Sequence, residues 1–167
     1  MEPSLRERAL RLLARREHSR AELARKLAGH ATTEEIESLA NQLEQSGLLS
    51  DARFVESFVA ARAARLGGLK LRHELRSRGV ADDLIASHVA DDEESELGRA
   101  REVWLRKFGH GPADAREYAR QARFLAGRGF AGSVVHRLLK NPPKHAHEAS
   151  SGMLRVNNLR KRYKSRT

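Results

Sequence analysis

The chain has 167 residues, contains no cysteine and carries a formal net charge of +10 at pH 7. The lack of cysteine excludes disulfide bonds, thiolate chemistry and cysteine-based zinc sites, and it fits a reducing cytoplasm. No apolar stretch approaches the roughly 18 residues that a membrane-spanning helix needs, and the first residues contain no apolar signal core. We therefore expect a soluble, cytoplasmic protein that does not contact a membrane.

Apolar residues at helical spacing predict three short helices in residues 1–49. The first helix has one apolar face, formed by Leu5, Ala9, Leu12 and Leu13. A second helix is predicted to begin at Ser19, where Glu22 completes a capping box. Thr33 is predicted to cap a third helix, which ends at Gly47 because glycine readily adopts the left-handed conformation after a helix.

The three-helix pattern restarts over residues 50–91 and again over residues 92–140. An offset of 50 residues relates Phe54 to Trp104, and Arg78-Gly79-Val80-Ala81 to Arg128-Gly129-Phe130-Ala131. A constant period of this size indicates tandem repeats. Within the second repeat, Gly67-Gly68 is predicted to end the first helix.

These patterns predict an all-α fold of three tandem three-helix units, similar to helix-turn-helix modules, in an elongated array. Helices this short are marginal alone, so packing within and between units must hold them. Residues 141–167 form a basic tail with two open interpretations. The tail is either a disordered arm that binds nucleic acid or an extension that is not native to the protein.

No motif in the sequence indicates a cofactor, a metal or a catalytic centre. Residues 127–132 spell G-x-G-x-x-G, but this motif binds dinucleotides only between a strand and a helix. Because helical residues precede it here, we interpret it as a turn in which Gly129 adopts a positive φ. The acidic run at residues 91–96 is interpreted as a helix cap rather than a Mg²⁺ site. We expect no cofactor and no enzymatic activity.

The basic residues carry the main functional signal. Residues 101–140 contain nine basic and three acidic side chains, and residues 141–167 contain seven and one. Guanidinium groups suit phosphate and carboxylate partners, so nucleic acid is the simplest partner; the alternative is a solvated surface with internal Glu–Arg pairs. The candidate binding residues are Arg53, Arg62, Arg65, Lys70, Arg72, Arg76, Arg78, Arg116, Arg120, Arg123 and Arg128.

Several segments between Leu5 and Lys140 follow a recognisable order. The run from Ala9 to Ser19 is followed by Glu22-Leu23, Lys26-Leu27 and then Gly47-Leu48-Leu49-Ser50-Asp51-Ala52-Arg53-Phe54. Further segments in register are Arg62, Gly67-Gly68, Leu75, Gly79-Val80, Lys107-Phe108-Gly109 and Arg123-Phe124-Leu125 before Arg128-Gly129-Phe130. In this order and spacing they resemble the RecX family, whose pattern G-hydrophobic-[LIV]-[DS]-D-x-R-[FY] matches the segment that begins at Gly47.

The resemblance implies a curved, elongated protein that binds the RecA nucleoprotein filament and can also contact single- or double-stranded DNA. It implies inhibition of filament extension, ATP hydrolysis and strand exchange by RecA. The associated processes are DNA recombination, DNA repair and the SOS response. The ATP belongs to RecA, so the chain itself needs no cofactor. We expect the protein to be a monomer.

Two features depart from the family pattern. Leu69 follows Gly67-Gly68 where the family often has an aromatic residue within G-[YF]-G, and the tail at residues 141–167 has no recognised counterpart. An alternative interpretation is a helix-turn-helix DNA-binding regulator, because three-helix units can present a recognition helix. That alternative predicts a preference for one duplex sequence and usually a dimer, but the sequence contains no dimerisation heptad.

Overall fold

A computed structural model describes residues 2–89 and 92–143, which form nine α-helices and no strand. The helices are α1 (Leu5–Leu13), α2 (Arg20–Leu27), α3 (Thr33–Gln45), α4 (Asp51–Arg62), α5 (Gly68–Ser77), α6 (Asp82–His88), α7 (Glu93–Lys107), α8 (Ala115–Gly127) and α9 (Gly132–Lys140). We call α1–α3 repeat 1, α4–α6 repeat 2 and α7–α9 repeat 3. The all-α prediction is confirmed, whereas the exact repeat boundaries stay predictions.

Each repeat has its own apolar core. The buried core residues are Ala9, Leu23, Leu27, Ile36, Leu39, Ala40, Leu43 and Leu49 in repeat 1; Phe54, Val55, Phe58, Leu71, Leu75, Val80, Ile85 and Val89 in repeat 2; and Leu97, Ala100, Val103, Trp104, Leu125, Phe130, Val134, Val135, Leu138 and Leu139 in repeat 3. The helix pairs in closest contact also lie within one repeat. The chain therefore consists of three small cores in a row.

The cores of repeats 2 and 3 differ at one related pair of positions. In repeat 3, the Trp104 indole Nε1 donates a hydrogen bond to Gln121 Oε1 at 2.7 Å, and both side chains are fully buried. The residues 50 positions earlier are Phe54 and Leu71, which are purely apolar. A buried indole N–H needs a hydrogen-bond acceptor, so the tryptophan of repeat 3 is accompanied by a buried glutamine. This hydrogen-bonded pair occupies the positions that an apolar pair occupies in repeat 2.

Side-chain caps fix where most of the helices begin. Ser4 and Glu7 form a reciprocal capping box at α1, and the hydrogen bond from the Ser4 backbone N–H lowers the pKa of Glu7. A second box joins Thr32 and Glu35 at α3. The prediction that Thr33 caps α3 is therefore wrong by one residue, because only Thr32 has a glutamate three positions later.

The repeats stack through a contact that occurs twice. The first seam joins repeats 1 and 2, where the Ser19 hydroxyl donates to the Arg78 carbonyl at 2.6 Å. The second seam joins repeats 2 and 3, where the Gly67 N–H donates to the Arg128 carbonyl at 2.9 Å. Ser19 and Gly67 are the N-caps of α2 and α5. In both seams, the start of a repeat's second helix thus lies on the next repeat's turn between its second and third helices.

Glycines make this contact possible. Gly79 and Gly129 lie in the two turns with φ of 75° and 81°, which confirms the interpretation of G-x-G-x-x-G as a turn between helices. A Cβ on Gly129 would overlap the backbone of Lys70, and a Cβ on Gly67 would overlap the carbonyl of Gly129. The prediction that Gly67-Gly68 ends α4 is wrong, because α4 ends at Arg62 and these glycines begin α5 against the neighbouring turn.

Some predictions concern regions outside this description. The predicted basic tail lies outside the described residues from residue 144 onward, as does Asp91, the first residue of the acidic run. Asp92 caps α7, as the interpretation of that run requires. No helix within residues 2–89 and 92–143 is both long and apolar enough to cross a membrane.

Candidate interaction surface

Arg62 and Arg78, two of the candidate residues, make contacts with other side chains of the same protein. The Glu74 carboxylate lies 3.7 Å from each guanidinium, and Glu22 of repeat 1 lies 3.3 Å from Arg78. Both guanidiniums also lie over the Phe58 ring, at 4.1 Å for Arg62 and 4.8 Å for Arg78, which is a cation–π arrangement. These arginines therefore help to hold α4, α5 and the first seam together.

The predicted pair on α5 is also bonded internally. Arg72 donates to the Val89 carbonyl at 3.2 Å, and Arg76 donates to Asp82 at 2.6 Å. The first contact ties α5 to the end of α6 and the second ties it to the beginning of α6. The alternative interpretation of internal Glu–Arg pairs fits Arg62 and Arg78, which pair with Glu74, whereas the role of Arg72 and Arg76 in binding stays a prediction.

Acidic residues of repeat 1 balance the charge of the first seam. Glu22 lies 2.9 Å from Arg16 as well as pairing with Arg78. Its carboxylate is thus used between repeats, so the predicted capping box at Ser19 is only half formed: the Ser19 hydroxyl accepts from the Glu22 N–H at 3.0 Å. The candidate Arg53 pairs in the same region with Glu17, at 2.9 Å.

A buried histidine adjoins this seam. His18 precedes the N-cap of α2, is 2% exposed, and has its Nδ1 3.0 Å from the Arg16 carbonyl. Burial lowers the pKa of His18 below its ordinary value of 6.5, because desolvation disfavours the charged ring. Sequence periodicity gave no sign of this residue, which lies between two helices.

Three candidate arginines form one exposed row on α8. Arg116, Arg120 and Arg123 are all exposed and follow helical spacing along one face. Arg120 pairs with Glu117 at 3.0 Å and lies 5.4 Å from the Phe108 ring. Within the described part of the chain, Arg116 and Arg123 have neither a hydrogen bond nor an ion pair through their side chains. The predicted basic face of repeat 3 is therefore present and open to solvent.

The second seam contains a basic pocket of about 250 Å³. Its lining residues are Arg65, Val103, Arg106, Lys107, Phe124 and Arg128. Among the residues that the structure describes, no acidic side chain lines this pocket. We call it the second-seam pocket. It brings two of the candidate residues, Arg65 and Arg128, together with two basic residues of α7.

Backbone carbonyls and an aromatic ring hold two of the pocket's arginines. Arg106 donates to the Ala64 carbonyl at 3.0 Å, and Arg128 donates to the Arg65 carbonyl at 3.4 Å while lying 4.7 Å from the Phe124 ring. Lys70 reaches the same turn and donates to the Gly127 carbonyl at 3.3 Å. These contacts orient the cations without neutralising them.

Sequence reasoning missed Arg106 and Lys107 as site residues. Both are exposed at the end of α7. They lie close to Arg65 only because repeats 2 and 3 stack. The basic excess of residues 101–140 was the available signal. No group of three or more histidine, aspartate or glutamate side chains in residues 2–89 and 92–143 is arranged to hold a metal ion.

Comparison with family models decides the relationship of the chain to known proteins. Residues 6–39 match the first three-helix domain of RecX, residues 50–88 the second, and residues 93–139 the third. The chain belongs to the RecX family. The order of the three matches is the order of repeats 1 to 3, so each structural repeat corresponds to one RecX domain.

Individual RecX proteins are similar over most of their length. The regulatory protein RecX of Leptothrix cholodnii is 52% identical over 138 residues, which cover 82% of this chain and 88% of that protein. The regulatory protein RecX of Ralstonia nicotianae is 48% identical, with coverage of 82% and 87%. The relatives are thus named for regulation rather than for catalysis.

A solved RecX structure has the same fold. The crystal structure of RecX from Lactobacillus salivarius matches with a TM-score of 0.68, 17% sequence identity, and coverage of 81% of this chain and 92% of that chain. At this low identity, the match supports the arrangement of the three repeats and carries no information about individual binding residues.

Proposed function

We propose that the protein binds the RecA–DNA filament and inhibits its extension, its ATP hydrolysis and its strand exchange, and so regulates recombination and repair. The observation that carries this proposal is the match of all three RecX domains, in order, along one chain. The protein acts as a cytoplasmic monomer that has no catalytic activity and needs no cofactor.

The surface supports contacts through repeats 2 and 3. Arg116, Arg120 and Arg123 extend along α8, and the second-seam pocket opens beside Phe124 of the same helix. A row of cations on a stacked array suits a long, negatively charged partner, because each guanidinium can bind a phosphate or a carboxylate. Arg62 and Arg78, which pair with Glu74, support this surface indirectly, because they help to hold the repeats together.

The test is ATP hydrolysis by the cognate RecA on single-stranded DNA, with the protein titrated in at two salt concentrations. We expect hydrolysis to fall at substoichiometric protein, because a bound regulator affects the growth or loss of the whole filament. Inhibition that requires excess protein and vanishes at modest salt would indicate competition for DNA instead. No effect at any ratio would refute the proposal.

A pair of charge-matched variants locates the contact. Arg116→Gln with Arg123→Gln removes two exposed cations of repeat 3, and we expect it to raise the concentration for half inhibition by about tenfold. The control, Arg11→Gln with Lys26→Gln, removes two exposed cations of repeat 1 and should change that concentration by less than about twofold. Equal effects would move the contact away from α8.

The helix-turn-helix alternative makes a different prediction. A sequence-reading regulator discriminates one duplex sequence from others by about 1–3 kcal/mol for each changed base pair. A duplex selection experiment that returns a single preferred sequence, together with no effect on RecA, would favour that alternative.

A further inference from the structure

The two seams have related positions that carry different charges. Counting from the N-caps Ser19 and Gly67, Glu17 corresponds to Arg65 and Glu22 corresponds to Lys70. The offset of 50 residues relates Ser57 to Lys107 and Glu74 to Phe124. Two acids of the first seam are thus replaced by bases in the second, and a third by an aromatic ring.

The grooves at the two seams occupy related places. The first-seam groove, of about 260 Å³, is lined by Glu17, Glu22, Ser57 and Arg78 among others. The second-seam pocket is lined by Arg65, Lys107 and Arg128, which are the counterparts of three of these residues. The first groove has two lining carboxylates beside its three arginines, whereas its counterpart leaves four cations together without an acidic lining residue in the described chain.

We propose that the second-seam pocket binds a backbone phosphate of nucleic acid. A concave group of like charges concentrates a counter-ion of the opposite sign. At about 250 Å³, the pocket lies below the range of roughly 300–1,000 Å³ that is usual for sites of drug-sized ligands. It therefore suits one small anionic group that belongs to a longer chain. Three guanidiniums and one ammonium provide donors from several directions to the oxygens of a phosphate.

The aromatic ring favours a nucleotide over an acidic peptide. Phe124 lines the pocket beside Arg128, whose guanidinium lies 4.7 Å from the ring, and it packs edge-to-face on Phe108, with 5.2 Å between the ring centres. Sites for single-stranded nucleic acid combine cations for the backbone with aromatic rings for the bases or sugars. A carboxylate of a protein partner would use the cations but would leave the ring without a matching group.

The proposal deepens the proposed function, since it names the chemistry of one contact to nucleic acid, but it is testable without RecA. Arg65→Gln with Lys107→Gln is the informative variant. Neither side chain has a hydrogen bond or ion pair in residues 2–89 and 92–143. The seam bonds of Arg106 and Arg128 end on backbone carbonyls, so both survive the substitutions. The control is Arg11→Gln with Lys26→Gln, which removes the same charge from a basic groove of repeat 1.

The experiment measures fluorescence anisotropy of a labelled thymidine oligonucleotide of about a dozen nucleotides with the full chain, between about 50 and 200 mM salt. We expect the Arg65→Gln/Lys107→Gln variant to bind about tenfold more weakly at the lowest salt. The slope of log affinity against log salt should shrink by about 1. The control should stay within about twofold of the original protein, and equal urea midpoints verify that both variants are folded.

Three outcomes would overturn the phosphate site. The first is an equal loss in the variant and in the control, which indicates a general charge effect. The second is unchanged affinity in both. The third is loss of binding to fluorescent poly-glutamate with unchanged oligonucleotide binding, which indicates a carboxylate partner. RecA hydrolysis measured in parallel separates the two proposals: inhibition that persists after any of these outcomes leaves the proposed function standing without the pocket.

Discussion

The two seams share a hydrogen bond to the carbonyl of a turn but differ in the charge of the side chains around it. At the first seam, Arg78 lies between Glu22 and Glu74. At the second seam, Arg128 contacts the Phe124 ring and a backbone carbonyl, and no acidic residue lines the adjoining pocket among the described residues. The same turn is thus neutralised in one place and left cationic in the other.

This difference shows that stacking and surface charge are determined by different atoms. The recurring contact ends on a backbone carbonyl, that of Arg78 or Arg128, which accepts from the N-cap of the preceding repeat: from the Ser19 hydroxyl at the first seam and from the Gly67 N–H at the second. A glycine in each turn allows the close approach. Side chains at the rim then vary without changing how the repeats sit. A repeat protein can therefore stabilise one junction with ion pairs and keep another available for a partner.

Gly129→Ala should have the largest effect on stability and should break the second seam. The substitution introduces a Cβ at positive φ, which costs about 1–2 kcal/mol, and this Cβ overlaps the Lys70 backbone, which cannot move without separating the repeats. Overpacking adds about 1–3 kcal/mol. We expect the free energy of unfolding in urea to fall by about 2–5 kcal/mol.

A control variant separates the cost of the positive φ from the cost of the steric overlap. Gly29 also has a positive φ, of 87°, but a Cβ there would meet nothing within 4 Å. Gly29→Ala should therefore cost only the conformational term of about 1–2 kcal/mol. If Gly129→Ala costs no more than Gly29→Ala, the close approach at the second seam does not contribute to stability.

Local patterns were sufficient to predict the helices and their grouping. The apolar spacing of α3 and the offset between Phe54 and Trp104 are properties of the sequence alone. The cap of α3 was misplaced by one residue for a local reason, whereas the errors at Gly67-Gly68 and at the Ser19 capping box occurred where a residue contacts the next repeat. Gly67-Gly68 has the composition of a helix end, but its role depends on Gly129, which lies more than 60 residues away.

The candidate site was harder to predict for the same reason. Charge counting identified Arg116, Arg120 and Arg123, whose common face follows from helix geometry. It could not separate Arg78, which is paired with acids at a seam, from Arg65, which is unpaired within residues 2–89 and 92–143. Nor could it bring Lys107 next to Arg65, because that proximity depends on the stacking of two repeats.

A second prediction compares the charged side chains at related positions of the seams. Glu22→Gln removes the carboxylate that Arg16 and Arg78 share. The Glu22 side chain is only 10% exposed. Because charged hydrogen bonds at such sites are worth more than neutral ones, we expect a loss of about 1–2 kcal/mol in the free energy of unfolding. The related substitution Lys70→Gln should cost less than about 0.5 kcal/mol, since its amine makes one bond at the surface.

Chemical denaturation of both variants tests this expectation. A larger effect of Glu22→Gln than of Lys70→Gln would support the view that only the first seam is stabilised by charge. Equal losses would mean that the two seams are alike energetically and that the acids at the first seam are incidental.

The smallest expected effect is a pH dependence confined to the first seam. Burial lowers the pKa of His18, so between about pH 6.5 and the lower folded value the unfolded chain binds a proton that the folded chain does not. The contribution of His18 to the free energy of unfolding is therefore fully present above about pH 6.5, and it is lost as the pH falls through that window. Arg16 opposes protonation of His18, and Glu22 favours it. The corresponding residue of the second seam is Leu66, which does not titrate.

Amide hydrogen exchange can resolve this difference between the seams. The Arg20 N–H donates to Asp51 across the first seam at 2.7 Å, and the Gly67 N–H reports on the second. After correction for the intrinsic exchange rate, lowering the pH from about 7.5 to 5.5 should reduce protection at Arg20 more than at Gly67. His18→Gln should abolish the excess loss at Arg20. Because the chain has eight histidines, an excess loss that persists in this variant would assign the pH dependence to another residue.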